Sequence, residues 1–407
     1  MQPNSYTAEE ELMTGSVDHS PSRDVLRRRP HDLALASFTH TETLDFPKAT
    51  KSATTPRVAR AIDPITDPRW ERFLQRHPRA SLFHSAAWLK ALSRTYGYKP
   101  IAYTTSSAGK DLQNGMVFCR VESWLTGRRL VSLPFSDHCE PLLETENDLQ
   151  AFTVALEQES RREQWRYIEV RPLTPFLINT ELRHTGVAYS FHELDLTPDI
   201  DTIFANFHKS SIQRKIRRAE REGLTYREGS TEELLDHFYA LLATTRKRHK
   251  LPPQPRKWFT NLMDSFGDAL KIRVAFKGTR PVAAMLTIRY KNTLTYKYGC
   301  SDPRFNKLGS MHLLFWKAIQ EAKAAGLQRF DFGRTDAGQD GLTTFKSRWG
   351  ATQSVLTYGR YGLSDNSTHA FDLQATKWKA KAAKYVLQHL PSGVLSMIGQ
   401  VLYGHVG

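Results

Sequence analysis

Thr293-Leu294-Thr295-Tyr296-Lys297-Tyr298-Gly299 is followed by Cys300-Ser301-Asp302-Pro303-Arg304-Phe305-Asn306-Lys307-Leu308-Gly309 and then by Ser310–Ala325, closed by Gly326. An apolar, strand-like run thus hands the chain through a polar turn into a strong helix. A short strand, Arg329–Phe332, a Gly/Asp-rich loop, Gly333–Gly341, and the run Phe345-Lys346-Ser347-Arg348-Trp349-Gly350 complete the segment. At such a turn the free N–H groups and the dipole of the helix point together, which suits an anion or an acyl group.

Working outward, Ala269–Phe276 and Val282–Tyr290 read as strands antiparallel to Thr293–Gly299, with Gly278-Thr279 and Lys291-Asn292 as turns. Glu232–His249 and Pro255–Phe266 read as helices. Ile200–Glu222 predicts a basic helix with Ile212, Ile216 and Ala219 inward and Lys209, Arg214, Lys215, Arg217, Arg218 and Arg221 outward. Phe191–Leu196 and Thr225–Glu228 are short strands, and Val355–Tyr361 is a last one. Upstream, Ser85 is placed to cap a helix Ala86–Thr95 that Gly97 ends. Strands Lys99–Thr104, Gly115–Val121 and Leu130–Leu133 follow, then a helix Asn147–Arg162 and a strand Trp165–Val170. This alternation predicts an α/β (α+β) protein with a polar, disordered tail at 1–60, domains at 61–190 and 191–362, and a basic amphipathic tail at 363–407. The last tail, broken by Pro391 and Gly393, reads first as packed on the protein's own body, with a helix on a membrane surface as the alternative.

The 407 residues suffice for two cores, and a formal charge of +15 favours phosphate-bearing partners. DNA is not among the expected partners. Cys119, Cys139 and Cys300 are too scattered for a disulfide framework or a zinc cluster, so no metal is expected and a reducing compartment is. With no signal-like N-terminus and no apolar run of about 18 residues, the expected location is the cytoplasm.

Gly-x-Ser-x-Gly, Walker and His-Glu-x-x-His patterns are missing. Asp331-Phe332-Gly333 spells a kinase triplet without the accompanying catalytic and glycine-rich loops. Three stretches remain as candidates. The turn Arg304–Gly309 either binds a pyrophosphate or acyl carbonyl, or is an ordinary turn before Ser310. Phe345-Lys346-x-Arg348-Trp349 sets two cations beside two aromatics, for a phosphate and a stacked ring or merely for a helix end. The basic helix Lys209–Arg221 binds a diphosphate or RNA, or is a solvated face.

Tyr298-Gly299-Cys300-Ser301, Leu308-Gly309-Ser310, the helix with Leu314, Trp316 and Ala318, Phe330-Asp331-Phe332-Gly333 and Phe345-Lys346 resemble, in that order, the second half of FemAB-type proteins. These are peptidyltransferase-like members of the GNAT superfamily, with the BioF2-like (CelD-like) acetyltransferases as a related group. Phe83-His84-Ser85-x-x-Trp88 and Lys215-Ile216-Arg217-Arg218-Ala219 with Gly223 are similar to two upstream pieces of the same pattern, so that the resemblance covers about residues 65–360.

The resemblance implies two tandem GNAT-like domains, each a mixed, mostly antiparallel sheet flanked by helices. It implies transfer of an acetyl or aminoacyl group to an amine of a cell-envelope or exopolysaccharide precursor, a nucleotide- or lipid-linked sugar among the acceptors. No cofactor is bound permanently. Acyl-CoA (acetyl-CoA) or aminoacyl-tRNA is the donor. Lys346 would stabilise charge developing on the donor, and Asp331, at a strand end, is the candidate base. Tyr298, Ser301, Arg304, Asn306, Gly309, Ser310, Phe345 and Arg348 would hold the donor; Arg214, Arg217 and Arg334 would read the acceptor. The superfamily's pyrophosphate signature, Gln/Arg-x-x-Gly-x-Gly/Ala, is met at Arg304 and Gly309, with Lys307 in place of its first glycine. A non-catalytic adaptor on an envelope-synthesis complex, or peripheral on the inner membrane face, is the alternative expectation.

Overall fold

The computed structural model describes residues 58–174, 183–362, 398–399 and 401–405. The predicted N-terminal tail, except its last residues, and most of the predicted C-terminal tail lie outside the described residues.

Five strands and three helices come first: β1 (Arg60–Ile62), α1 (Pro68–Arg76), α2 (Ala86–Tyr96), β2 (Lys99–Thr104), β3 (Met116–Ser123), β4 (Gly127–Val131), α3 (Glu146–Glu163) and β5 (Tyr167–Val170). A long strand, β6 (Arg183–Asp195), leads into two helices, α4 (Ile200–Asn206) and α5 (Arg214–Arg221). The opening order then returns: β7 (Leu224–Gly229), α6 (Glu232–Arg248), α7 (Arg256–Phe266), β8 (Leu270–Lys277), β9 (Arg280–Tyr290), β10 (Thr293–Ser301), α8 (Ser310–Ala324) and β11 (Arg329–Thr335). The chain closes this part with α9 (Asp340–Ser347) and β12 (Thr352–Gly362). The order β-α-α-β-β-β-α-β therefore occurs twice.

The local signals act as their chemistry requires. Ser85 Oγ accepts the Trp88 N–H at the head of α2, and Gly97, at φ 72°, ends it in a left-handed turn. Asp67, Thr145 and Thr231 cap α1, α3 and α6 in the same way.

The two repeats share one 12-stranded sheet in the order β1-β2-β3-β4-β5-β12-β6-β11-β10-β9-β8-β7. Pairing is antiparallel except for β4 with β5 and β10 with β11. The order is symmetric about its centre, and the middle strands are exchanged. β6 follows β5 in the chain but lies against β11, and β12 follows β11 but lies against β5. β6 and β12 pair along Thr352↔Glu193 through Gly362↔Arg183. The predicted strand Phe191–Leu196 is thus only the last part of a 13-residue strand. Its first part, Arg183–Ser190, carries few apolar residues to mark it, and a position such as Val187 is 40% exposed.

Side chains unite the halves as well. Trp88 on α2 meets Trp258 on α7 edge to face, with ring centroids 5.3 Å apart, in a core that draws on both repeats. The opposite face of β10 and β11, through Leu294, Tyr296, Phe330 and Phe332, packs under α8 with α4 and α5.

Candidate active site

Alternation sends Thr293 and Thr295 of β10 away from α8, toward the first repeat. The parallel pairing of β10 with β11 runs only through Thr293↔Arg329, Leu294↔Phe330 and Thr295↔Asp331. Each strand then carries an extra residue against its other neighbour: Lys297 between Tyr296 and Tyr298, Phe332 between Asp331 and Gly333. Such bulges bend a strand and end its pairing. Into this region comes the loop after β4, which carries Asp137, His138 and Glu140. Gly333, at φ 74°, admits it: a Cβ there would lie 3.2 Å from the Asp137 carboxylate.

A pocket of about 340 Å³ opens at the paired ends of β10 and β11, between the repeats. Its wall includes His138 and Glu140 from the first repeat and Thr295, Asp331 and Glu193 from the central and second-repeat strands. His138 Nε2 stands 3.6 Å from Asp331 Oδ2, both side chains being buried. The Gly333 N–H donates to Asp331 Oδ1 at 2.6 Å and Thr295 Oγ1 donates to Oδ2 at 3.4 Å, which fixes the carboxylate. Phe83 and Phe191 hold the imidazole edge to face at 5.0 and 5.5 Å. Glu140 accepts the N–H groups of Leu173 and Thr174 at 2.6 and 3.3 Å. Burial nevertheless pushes its carboxyl up, as burial and then the nearby Asp331 push Glu193 up. Arg79, Lys291 and Arg329 also border the pocket. An anionic wall with cations at its border suits a ligand that presents an amine.

Behind His138, Lys297 Nζ and Asp137 Oδ2 form an ion pair at 3.0 Å, each side chain 1% exposed. The ammonium lies among the rings of Phe83, Trp88 and Tyr298, 5.2–5.9 Å from their centroids. Burial pushes Lys297 down while Asp137 pushes it back up. Tyr358 Oη donates to the Asp137 carbonyl, which ties the loop to β12.

Known proteins are similar to this chain in sequence and in fold. An acetyltransferase (GNAT) domain model matches residues 206–347, the stretch from the end of α4 through α9. The UDP-N-acetylmuramoylpentapeptide-lysine N(6)-alanyltransferase of Weissella viridescens is 26% identical over 158 residues, 38% of this chain; the match spans 46% of that enzyme's length. The chain is similar to FemAB-type proteins of the GNAT superfamily. The crystal structure of FemX agrees in fold, with a TM-score of 0.56 at 14% identity over 70% of this chain and 94% of that one. So does the C-terminal domain of a putative lysylphosphatidylglycerol synthetase from Agrobacterium fabrum, with a TM-score of 0.50 at 15% identity over 75% and 95%.

The residues singled out from sequence fall into three places. Asp331 lines the pocket. Lys346 is buried, and its Nζ donates to the carbonyls of Gly333 and Arg334 at 3.2 and 3.1 Å, at the end of β11. Arg334, also buried, lies over the rings of Tyr189 and Tyr358 at 4.1 and 5.2 Å, with Asp336 3.2 Å away.

The second place is the turn before α8. Ser301 Oγ donates to Asn306 Oδ1 at 2.8 Å, and Arg304 grips Asp302 with two donors, at 2.9 and 2.6 Å. Gly309, at φ 79°, leads into Ser310. The backbone carbonyl of Lys215 on α5 fills the space where a Gly309 side chain would begin. Arg214 and Arg348 are exposed near Lys215, whose own ammonium is pushed down by burial and then by these two cations. Arg217 lies further along α5, over the Phe204 ring at 5.6 Å. The third place is the core. Tyr298 Oη accepts the Trp258 indole N–H at 2.8 Å, and Phe345 packs against His312, Phe315 and Trp349.

Sequence reasoning missed His138, Asp137, Glu140, Glu193 and Lys297. A signal was present for most of them. Ser136-Asp137-His138-Cys139-Glu140 follows a strand and reads as a surface loop, yet it is buried throughout. Lys297 interrupts an otherwise apolar strand, where a charge needs a partner.

Proposed function

We propose that this FemAB-like chain is an N-acyltransferase of the cytoplasmic side. It moves an acyl or aminoacyl group from a CoA-type or tRNA-type donor to the amine of a nucleotide- or lipid-linked envelope precursor. The observation that carries the reading is the His138–Asp331 pair in the pocket between the repeats. The acceptor amine enters from this face. The donor lies where β10 and β11 diverge, and its phosphates approach the head of α8 from the side of Arg214 and Arg348, because Lys215 backbone occupies the side over Gly309.

The amine attacks the acyl carbon, a C–N bond forms, and the donor's C–O or C–S bond breaks. His138 takes the proton that the nitrogen loses and returns it to the departing oxygen or sulfur. Asp331, held by Gly333 and Thr295, orients the imidazole. Glu140 and Glu193 draw the ammonium form into the pocket, where it gives one proton to bulk water and is left as the neutral amine that attacks. A positioned base of this kind supplies roughly 10²–10⁴-fold in rate, and alignment of the two reactants supplies more. Lys346, bonded at the end of β11, keeps the diverging strand in place beside the reacting carbonyl.

The lysine amine of a UDP-linked muramoyl peptide is the acceptor to try first, since it is the one named for the Weissella relative. Transfer from acetyl-CoA and from alanyl-tRNA, followed by mass spectrometry of the acceptor, tests the reading. Asp331→Asn is expected to lower the transfer rate about 10²-fold or more while the protein stays folded. A variant that transfers at the wild-type rate removes the pocket from the chemistry, and a wild-type protein inert with both donors favours the adaptor.

A further inference from the structure

The β3–β4 hairpin carries its most apolar side chains outward. Trp124 is 83% exposed and Leu125 54%. An indole so open to water is unusual on a well-packed body. The turn is nevertheless firmly built: Ser123 Oγ accepts the N–H groups of Leu125 and Thr126 at 3.2 and 3.0 Å, and Gly127 closes it at φ 83°.

Residues 401–405 dock against the back of this turn. The His405 carbonyl accepts Thr126 Oγ1 at 2.7 Å and an Arg129 guanidinium nitrogen at 2.8 Å, while its ring meets Ser123 Oγ at 3.1 Å and the edge of Trp124 at 5.4 Å. Tyr403 anchors the segment on both repeats, accepting from Tyr98 Oη and donating to the Pro252 carbonyl. On the same helical turn Val401 is 63% exposed.

Cations flank the tip. Arg128 lies over the Trp165 ring at 4.8 Å, with its side chain 44% exposed. Arg166 reaches the Thr126 carbonyl at 3.2 Å, and the Arg162 side chain is 66% exposed. Glu163 pairs with Arg128 and Arg162, so the charge is positive but modest. A protruding Trp-Leu pair ringed by guanidiniums has the chemistry of an interfacial anchor. The indole sits at headgroup level, the leucine dips into the acyl boundary, and the cations meet anionic headgroups.

We propose that the Trp124–Leu125 hairpin tip, with the C-terminal segment docked behind it, seats the protein on an anionic phospholipid surface. Two apolar side chains are too little to hold a neutral bilayer, so the surface must carry charge; each cation brought to it strengthens binding roughly fivefold. The proposal stands apart from the acyl-transfer reading.

Co-sedimentation of the full chain with phosphatidylcholine vesicles, with and without phosphatidylglycerol, tests it. Binding is expected only with phosphatidylglycerol and is expected to fall steeply as salt is raised. The double variant Trp124→Ser/Leu125→Ser should bind about tenfold or more weakly with an unchanged melting temperature, because both side chains are solvated. Equal binding by the variant, equal binding to neutral vesicles, or no binding by the wild type each overturns the proposal. A concentration-dependent dimer that the variant loses, without vesicle binding, would reassign the tip to a second copy of the chain.

Discussion

His138 and Asp331 meet at 3.6 Å although they belong to different repeats. The imidazole comes on the loop after β4, the carboxylate on β11 next to the exchanged strand β6. Neither repeat holds the pair alone, so the pocket exists only where the two are apposed.

If the pair works as one unit, its deletions are not additive. His138→Gln and Asp331→Asn are each expected to lower the transfer rate about 10²-fold or more, and the double variant to be little slower than the worse single. Steady-state rates for the four proteins, with melting temperatures as a check on folding, close the cycle. Simple multiplication of the two losses would mean that the residues act separately.

The Lys297–Asp137 pair sets the loop that carries His138. Both charges are buried, so removal of one leaves the other without its near partner. Lys297→Met is expected to destabilise the protein by about 3–5 kcal/mol, and Lys297→Met/Asp137→Leu by distinctly less. Urea unfolding measures both. A double variant as unstable as the sum of its singles would show that the pair is not the coupling between the repeats that its geometry indicates.

Much of the second repeat was legible locally. Thr293–Gly299 alternates as a strand should, Gly309 and Gly326 bracket a helix, and the predicted Ser85 cap and Gly97 stop act as such because they depend on neighbours in sequence. The strand exchange was not legible. Arg183–Ser190 becomes a strand by pairing with β12, far along the chain, and no period-2 apolar pattern is needed where a face such as that of Val187 and Val355 remains open. The pocket escaped for a related reason. Asp137, His138 and Glu140 are polar as a solvated loop would be, and they are buried by residues far apart in the chain, Phe83, His84 and Leu173 as well as Lys297 and Asp331. Asp331 was found because a strand end is a local feature; its partner was not.

Two histidines make stability depend on pH well above the carboxylate range. His84 accepts the Ser81 N–H at Nδ1 and donates from Nε2 to the Glu140 carbonyl, a neutral tautomer in a fully buried site. Burial lowers its pKa from 6.5 to about 4, and lowers that of His312 from 6.5 to about 3. Below pH 6.5 the unfolded chain binds protons that the folded state refuses. The contribution is therefore fully present above 6.5 and is lost as pH falls toward 4, at about 1.4 kcal/mol per pH unit for each histidine. Urea midpoints are expected to decline from pH 6.5 downward, and His312→Gln to make that decline shallower. A wild-type midpoint constant between pH 6.5 and 5 would contradict the burial of these rings as neutral groups.

Gly309 offers a test of how the donor is held. Its φ of 79° suits glycine, and a methyl group there would run into the Lys215 carbonyl of α5. Gly309→Ala must therefore either strain the turn or push α5 away, at a cost of roughly 1–3 kcal/mol. α5 carries Arg214 and Arg217 along the head of α8, so a shift of this helix disturbs whatever phosphate approaches there. The pocket of His138 and Asp331 lies on the opposite face of β10 and β11, since Thr295 and Asp331 point away from the side on which Leu294 and Phe330 meet α8. The expected outcome is a lower melting temperature and a raised KM for the donor, with the KM for the acceptor unchanged. Equal changes in both constants would mean that donor and acceptor do not approach β10 and β11 from opposite faces.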